Sequence, residues 1–360
     1  MQSFLREIKL SDDVRELHSS VVFESVEDAR VLAGELARKL KSGGAKLAAV
    51  ELFGKLAYAD VLEDFKRDMG ACDCPSTHVL PLDEVSKPEL AGARIIALSG
   101  ADPEFKRSES GSGLVSYKAG NDEYCRALGI TIPTNSRPLK DYTMANIEEM
   151  EVLLGLCGMS FADVVRTWFY NRNILDWYAD FNAGRTEFFN SRKVFEGLLP
   201  ASTGIGSPNP AGVPIQSAFI ALKGAAAQGR VFEIESPLQC GAPKYGSSFS
   251  RAVEFDMPTC KRIMVSGSAS IDFVGNTVHF GDIKKQVKLT MEVIGAILES
   301  RGLSFADTVS SVAYCMRPEY IEAFREWMAD NCEIPCVPSY STVCRSDLMF
   351  EVELEACKNA

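Results

Sequence analysis

The stretch GLSFADTVSSVAY at residues 302–314 has an echo upstream, GMSFADVVRTWFY, at residues 158–170. The two blocks lie 144 positions apart and are identical at seven of their 13 aligned positions. A block of this length and specificity rarely recurs by chance. The recurrence therefore predicts two copies of one structural unit along the chain.

The repeat extends on both sides of these blocks. Before each block, apolar residues at spacings of three and four predict one face of an amphipathic helix, with the trios Ile147, Met150, Leu154 and Met291, Ile294, Leu298. Gly158 and Gly302 suit the ends of these helices, and Ser-Phe-Ala-Asp predicts a short capped turn. A strand rich in branched and aromatic residues follows, and then a second helix near 176–189 or 319–329.

Bulk composition indicates an ordinary globular protein. The chain has 360 residues, 46% hydrophobic and 24% charged, with a net charge of −11. This acidic balance disfavours nucleic-acid binding, which needs clustered Lys and Arg. No apolar run approaches the length of a membrane span, and the N-terminal sequence lacks the apolar core of a secretory signal. Together with eleven cysteines, this predicts free thiols in the cytoplasm.

We divide the chain into two domains, as its length suggests. The first covers residues 1–230 and the second residues 231–360. Residues 1–100 have the weakest pattern in the chain. Within them, Val26–Leu40 has a helical pattern and residues 46–54 predict a strand. The repeat lies in the remainder of the chain.

Three local patterns leave alternatives open. CDCPSTH at 72–78 offers two thiols and an imidazole, but without a distant partner pair a surface loop is favoured over zinc. TGIG at 203–206 predicts a turn, or else a place where the backbone approaches a ligand. Arg185 interrupts an apolar helical stripe, so it either snorkels at the edge of the stripe or points into a pocket.

The end of the chain predicts a strand with one apolar face and one row of carboxylates. Its apolar and acidic residues alternate strictly, as Phe350, Val352, Leu354 and Glu351, Glu353, Glu355. The equivalent strand of the first copy, IQSAFIAL at 215–222, carries no acid. Any acid chemistry at this position therefore belongs to the second copy.

These motifs resemble the Rid family, the reactive-imine deaminases also called YjgF-like or L-PSP endoribonuclease-like proteins. The resemblance rests on VSGSASI (265–271), GDIKKQVKLTMEVIGAIL (281–298), LSFADTVSSVAY (303–314) and STVCRSDLMFEVELEA (341–356). It implies an α+β fold of two tandem units, similar to chorismate mutase, each a β-sheet with two helices on one face. Such units pack three at a time, so a homotrimer or a trimer-like packing within one chain is implied, with sites in the clefts between sheets.

Within this group the chain is most similar to chorismatases. The matching motifs are FSRA (249–252), SGSAS (266–270), TVHFGD (277–282), VCRSDLMFEVE (343–353), RTWFY (166–170), the W-Y-x-x-F-N-x-x-R pattern of 177–185 and PASTGIG (200–206). Chorismatases cleave the enolpyruvyl ether of chorismate and release pyruvate. The resemblance therefore implies an enzyme acting on chorismate or a related cyclic carboxylic acid.

Cleaving an enol ether requires a positioned acid, and a substrate with two carboxylates requires cationic anchors. We predict Glu353 as the acid, because Glu351 and Glu355 beside it would raise its pKa. Arg317 and Arg345 are the predicted anchors. Further candidates for substrate binding are Arg166, Arg185, Arg251, Tyr170 and Ser250, and each arginine has the alternative of a purely structural ion pair. No cofactor or metal is predicted.

Three other functions are alternatives to a chorismatase-like enzyme. Imine deaminases of the Rid family carry an Arg in a Pro-Ala-Arg-Ser-Thr motif, and the aligned segments at 200–203 and 338–342 lack it. Ribonuclease activity fits poorly with an acidic chain that has three histidines. A non-catalytic protein that binds a small carboxylate metabolite stays open as the alternative to an enzyme.

Overall fold

The computed structural model describes residues 2–359 and has an α+β fold with three sheets and six α-helices. The predicted fold class and the tandem arrangement of units are confirmed. Residues 2–100, which the sequence placed in the first domain without a repeat of their own, form a separate sheet, so the structure has three tandem units where the sequence predicted two. Residues 1–230 thus contain two sheets, and the boundary at 230 falls between the second sheet and the third.

The first unit has five strands in the order β1-β2-β5-β3-β4 and two helices. Its elements are β1 Gln2–Lys9, β2 Arg15–Val22, α1 Val26–Ser42, β3 Lys46–Phe53, α2 Ala59–Asp68, β4 Ser76–Val79 and β5 Gly92–Ser99.

The second unit has the order β10-β9-β11-β8-β7-β6, which repeats the first with one added edge strand. Its elements are β6 Glu104–Arg107, β7 Gly113–Ala119, β8 Asp122–Ile130, α3 Leu139–Gly155, β9 Val164–Asn171, α4 Ile174–Ser191, β10 Ala201–Ile205 and β11 Ile215–Leu222.

The third unit has the order β12-β13-β14-β17-β15-β16, again the same five strands with one added at the edge. Its elements are β12 Val231–Ile234, β13 Ala252–Met257, β14 Cys260–Ala269, α5 Ile283–Ser300, β15 Thr308–Cys315, α6 Ile321–Asp330, β16 Cys336–Tyr340 and β17 Phe350–Asn359.

The repeated blocks form the same local structure twice. In each, a serine and the aspartate three residues later close a capping box around one short turn, with Ser160 N donating to Asp163 (2.8 Å) and Ser304 N to Asp307 (2.7 Å). The turn delivers the chain into β9 or β15. The apolar trios predicted on α3 and α5 are buried against their sheets. No helix in the described part of the chain has the length and apolarity to cross a membrane.

The three sheets face one another around a common axis. Each sheet packs one face on its own two helices, which gives three separate cores, and the opposite faces meet in one central cluster. At its centre, the ring of Phe53 from β3 lies 6.3 Å from that of Tyr170 on β9 and 6.5 Å from that of Tyr314 on β15. These residues hold matching positions in the three sheets, so the seams between units are clefts of similar construction.

Candidate functional site

A cleft of about 540 Å³ lies at the seam between the second and third units. Strand β10 and helix α4 form one wall, while β14, β17 and the segment before β13 form the other. The TGIG stretch is therefore not a plain turn, because it belongs to β10 and places Ser202 and Gly204 on the wall. Another cavity of about 460 Å³ lies in the core of the first unit, but apolar side chains line it and it offers no charged group.

Three arginines line the cleft: Arg185, Arg251 and Arg345. Within residues 2–359 none of them forms an ion pair with a carboxylate. Arg185 is 2% exposed and its guanidinium donates to Asn182 Oδ1 at 2.7 Å. Of the two alternatives for Arg185, the structure thus supports the cation that points into a pocket. Burial lowers the pKa of Arg185, as expected for a cation that lacks an anion.

Backbone carbonyls and an aromatic ring hold the other two cations. Arg251 donates through Nε to the carbonyl of Cys240 at 2.9 Å, and Arg345 donates through Nη1 to that of Gly275 at 2.7 Å. Both guanidinium groups lie over the ring of Tyr245, at 5.3 and 5.5 Å from its centre. Neutral partners fix the positions of the cations and leave their charge available to an anionic ligand.

Glu351 is the acid that faces these cations. It lies on β17, lines the cleft and is 5% exposed. Burial, and after it the negative charge of Glu353, raise the pKa of Glu351 to about 8, although Arg166 and Arg251 act in the opposite direction. Glu351 is therefore protonated at neutral pH and can donate a proton into the cleft.

Glu353, the predicted acid, lies elsewhere. Its carboxylate is 2.8 Å from Arg94 and 2.9 Å from Arg166, and it accepts a hydrogen bond from Trp168 Nε1 at 2.7 Å. Burial alone would raise its pKa, but Arg94 and Arg166 outweigh burial and hold the pKa of Glu353 below its usual value. The structure thus corrects our placement of the acid: Glu353 is a buried carboxylate outside the cleft lining.

Two of the predicted substrate-binding arginines, the candidate Arg166 and the anchor Arg317, also lie away from the cleft. Arg166 lies in the central cluster, where its charge is already paired with that of Glu353. Arg317 is exposed, with its guanidinium 5.9 Å from the centre of the Tyr320 ring. Arg317 is the last residue before Pro318, which opens a short helical turn.

Tyr170 and Ser250 are likewise outside the cleft lining. Tyr170 packs against Phe53 on the axis. Ser250 is buried, and its carbonyl accepts a hydrogen bond from Ser266 Oγ at 2.6 Å. Of the seven predicted binding residues, the structure brings together Arg185, Arg251 and Arg345.

Several residues of the cleft were missed as site residues. Tyr178 and Tyr245 are the tyrosines of the lining, and burial raises the pKa of each. Cys344 lines the same cleft, and burial raises the pKa of its thiol to about 12. The signal for these residues was present, because Tyr178 and Cys344 stand within the motifs that resemble chorismatases.

The residues present do not favour a metal centre. Among the described residues, one group of three metal-ligating side chains comes together: Glu16, His18 and Glu355. Both carboxylates of this group already pair with Arg262, at 3.1 Å from Glu16 and 2.6 Å from Glu355. In the CDCPSTH segment, His78 Nε2 bonds to the carbonyl of Gly54 at 3.0 Å, which is a structural contact.

Comparison with known proteins gives relatives in sequence and in fold. No protein-family model matches the chain. The chain is 31% identical to the 3-hydroxybenzoate synthase of Streptomyces hygroscopicus over 265 residues, covering 65% of this chain and 74% of that protein. It is also 31% identical to the chorismatase of Streptomyces rapamycinicus over 229 residues, covering 56% of this chain and 65% of that protein, slightly less than two thirds of the relative's length.

A crystal structure of a chorismatase has the same fold. It superimposes with a TM-score of 0.66 at 20% identity and covers 86% of this chain and 93% of that one. Because 86% of the chain is aligned, the shared architecture extends into the first hundred residues. On the strength of the 3-hydroxybenzoate synthase match, together with this fold, the chain belongs to the chorismatase family.

Proposed function

We propose that the cleft between the second and third units binds chorismate, or a closely related cyclic acid with an enolpyruvyl ether, and cleaves that ether to release pyruvate. The observation that carries the proposal is the pairing of a protonated Glu351 with three arginines that lack a carboxylate partner in the described chain. The names of the two relatives support the same chemistry.

The charges of the cleft match such a substrate. With Glu351 neutral, Arg185, Arg251 and Arg345 give the cleft a charge of +3. Two substrate carboxylates would each find a planar guanidinium that binds carboxylate through two parallel hydrogen bonds. The aromatic side chains of Tyr178 and Phe249 offer flat apolar surface for the ring between the carboxylates.

Glu351 supplies the proton that starts the reaction. Its proton moves to the methylene carbon of the enolpyruvyl group, and positive charge develops on the carbon that bears the ether oxygen. In one route water adds to that carbon and gives a hemiketal, which collapses by breaking its bond to the ether oxygen. That oxygen stays on the ring and takes a proton, so the products are pyruvate and a dihydroxycyclohexadiene acid. In the other route the bond between the ether oxygen and the ring breaks, the oxygen leaves as the ketone oxygen of pyruvate, and the ring loses a proton to become hydroxybenzoate, so no water is consumed. In both cases one proton returns to Glu351.

The test is to incubate the purified protein with chorismate and to measure pyruvate. Mass spectrometry of the ring acid shows which of the two products forms. Glu351→Gln should abolish release, whereas the exposed Glu319→Gln, a matched change on the surface, should leave it unchanged. Release that persists in a folded Glu351→Gln protein would contradict the role of this acid.

The non-catalytic alternative predicts a different result. In that case calorimetry would detect binding of chorismate to the wild-type protein, no pyruvate would form, and Arg345→Met would weaken binding. Absence of both binding and release would count against both functions.

A further inference from the structure

A row of buried charges connects the first unit to the proposed acid. Arg94 of β5 lies 2.9 Å from Glu51 of β3 and 2.8 Å from Glu353 of β17. Glu353 in turn lies 2.9 Å from Arg166 of β9, which donates to Thr203 Oγ1 at 2.6 Å. The four charged side chains come from three different units, and each is at most 8% exposed.

This row reaches the acid in two ways. Glu353 and Glu351 are two residues apart on one strand, so their side chains leave the same face of the sheet about 7 Å apart. In addition, Thr203 Oγ1 accepts a hydrogen bond from the backbone N–H of Gly267 at 3.1 Å. Oε1 of Glu351 lies directly over Gly267, 2.0 Å from where a Cβ would stand. The row of charges therefore helps, through Thr203, to hold the backbone of Gly267, which the carboxyl group of Glu351 contacts.

Arg94 has no direct access to the cleft. The lining comes from the second and third units, and Arg94 is not part of it. The charges that act on Glu351 are those of Glu353, Arg166 and Arg251, whereas Arg94 acts on Glu353. An effect of Arg94 on the acid must therefore pass through Glu353.

We propose that Arg94 is a positioning residue for the proposed reaction: its ion pair keeps Glu353 ionised and fixed behind Glu351, and the anion so held keeps Glu351 protonated. This inference rests on the proposed function, since it assigns a role in that same site. It gives the first unit a part in the chemistry of a cleft that it does not line. Two carboxyl groups this close disfavour double ionisation, so the one with cationic partners carries the charge.

The surroundings of both carboxyl groups bear on the test. The groups that face Glu353 and Glu351 from neighbouring elements are Arg94, Glu51, Arg166, Arg185, Arg251, Arg345, Tyr170, Tyr314, Tyr178, Tyr245 and Cys344. Without Arg94, Glu353 keeps one of its two cations and binds a proton more readily. The negative charge behind Glu351 then weakens, so Glu351 ionises at lower pH.

The test measures the pH profile of kcat/KM for pyruvate release in the intact protein. For Arg94→Gln we expect the midpoint of the alkaline decline to fall by about one pH unit, with activity at pH 6 within about threefold of wild type. Glu353→Gln should shift the midpoint in the same direction. Arg94→Lys retains the charge and should restore most of the wild-type profile. Arg126→Gln, which removes another buried arginine of the central cluster, should leave the midpoint unchanged.

The double variant Arg94→Gln/Glu353→Gln decides whether the effect passes through Glu353. If it does, the double variant shifts the midpoint no further than Glu353→Gln alone. Additive shifts, an unshifted Arg94→Gln profile, or an equal shift in Arg126→Gln would each overturn the proposal. The double variant leaves Glu51 and Arg166 without their ion-pair partners, so thermal unfolding of each variant is compared with wild type first, and Arg94→Lys, which keeps the cation, carries the test if Arg94→Gln fails to fold.

A second readout separates this inference from the proposed function. The carboxyl carbons of ¹³C-labelled glutamates can be titrated by NMR, and the Glu351 signal is assigned by its loss in Glu351→Gln. A midpoint near pH 8 that falls in Arg94→Gln supports the inference even if chorismate is not the substrate. A Glu351 midpoint that does not move in Arg94→Gln overturns it even if pyruvate is released.

Discussion

The seam between the second and third units and the seam between the first and second units share a scaffold but differ in chemistry. At the second-third seam, Gly267 N donates a hydrogen bond to Thr203 Oγ1 at 3.1 Å. At the first-second seam, Gly129 N donates to Thr77 Oγ1 at 2.8 Å. Both seams enclose a cleft. The repeated fold thus provides a cleft at each of the two seams.

The side chains differ at the positions that matter. In the third unit, Glu351 on β17 pairs with Tyr314 on β15. At the matching positions, Gln216 pairs with Tyr170 in the second unit, and Gly92 pairs with Phe53 in the first unit. A Cβ on Gly92 would lie 2.4 Å from the carbonyl oxygen of Val21, so the first unit has no room for a side chain there. Of the three final strands, β17 alone holds an acid at this position, while β11 holds an amide and β5 a glycine.

The cations differ as well. The first-second cleft has Lys66, 3.3 Å from Glu63, and Arg107, 3.2 Å from Asp73. Its positive charges are thus already paired, unlike the arginines of the second-third cleft. A shared fold does not assign function, and the proposed function is placed at the seam that carries unpaired positive charge and an acid.

The largest expected effect comes from removing the acid. Glu351→Gln should lower kcat for pyruvate release by about 10³-fold, within the range that general acids contribute. The matched change at Gln216, Gln216→Ala, should leave kcat unchanged, because that position faces the other seam. Comparable losses in both variants would show that the two seams are not functionally different.

The second expected effect is on stability: the variant that loses activity should gain stability at alkaline pH. Because the pKa of Glu351 is raised to about 8 in the folded protein, the unfolded chain releases this proton at lower pH than the folded protein does. Stability from this group is therefore lost as pH rises from about 4.5 to about 8. Glu351→Gln should raise the free energy of unfolding at pH 8 by about 3 kcal/mol relative to wild type, and by much less at pH 5. Urea denaturation at the two pH values measures the difference.

The third effect concerns the anchors. Arg345→Met should reduce kcat/KM by about 30-fold, which corresponds to loss of a charge-assisted hydrogen bond worth about 2 kcal/mol. Arg107→Met removes a cation from the first-second cleft and should change kcat/KM less than twofold. If Arg107→Met were as harmful as Arg345→Met, the paired cations of the first-second cleft would also serve the substrate.

The fourth prediction concerns the pH dependence of pyruvate release by the wild-type protein. The proposed reaction requires protonated Glu351, so kcat/KM should be level below pH 8 and fall tenfold per unit above about pH 8. Steady-state rates between pH 6 and 10 measure this decline. A rate that increases through this range would indicate that the ionised form of Glu351, or another group, is the active one.

Some features of the molecule followed from the sequence because they depend on local patterns. The helices, the capped turns of the two repeated blocks and the alternation along β17 all come from spacings of two to four residues, which local geometry fixes. The resemblance to chorismatases came from contiguous motifs. The first unit was missed because residues 1–100 carry no copy of the Ser-Phe-Ala-Asp block, even though the order of their elements is the same.

The position of the acid depended on tertiary structure. Alternation places Glu351, Glu353 and Glu355 on one face of β17, but it does not tell which of them meets a cleft. That is decided by the point at which β10 of the second unit crosses β14 of the third, which exposes Glu351 to the cleft and covers Glu353 with Arg94 and Arg166. Those two arginines come from strands about 260 and 190 positions away in sequence. Sequence therefore determined the unit, its repeat and the row of carboxylates, while the packing of three units decided which carboxyl group holds a proton, because burial and distant charges set its pKa.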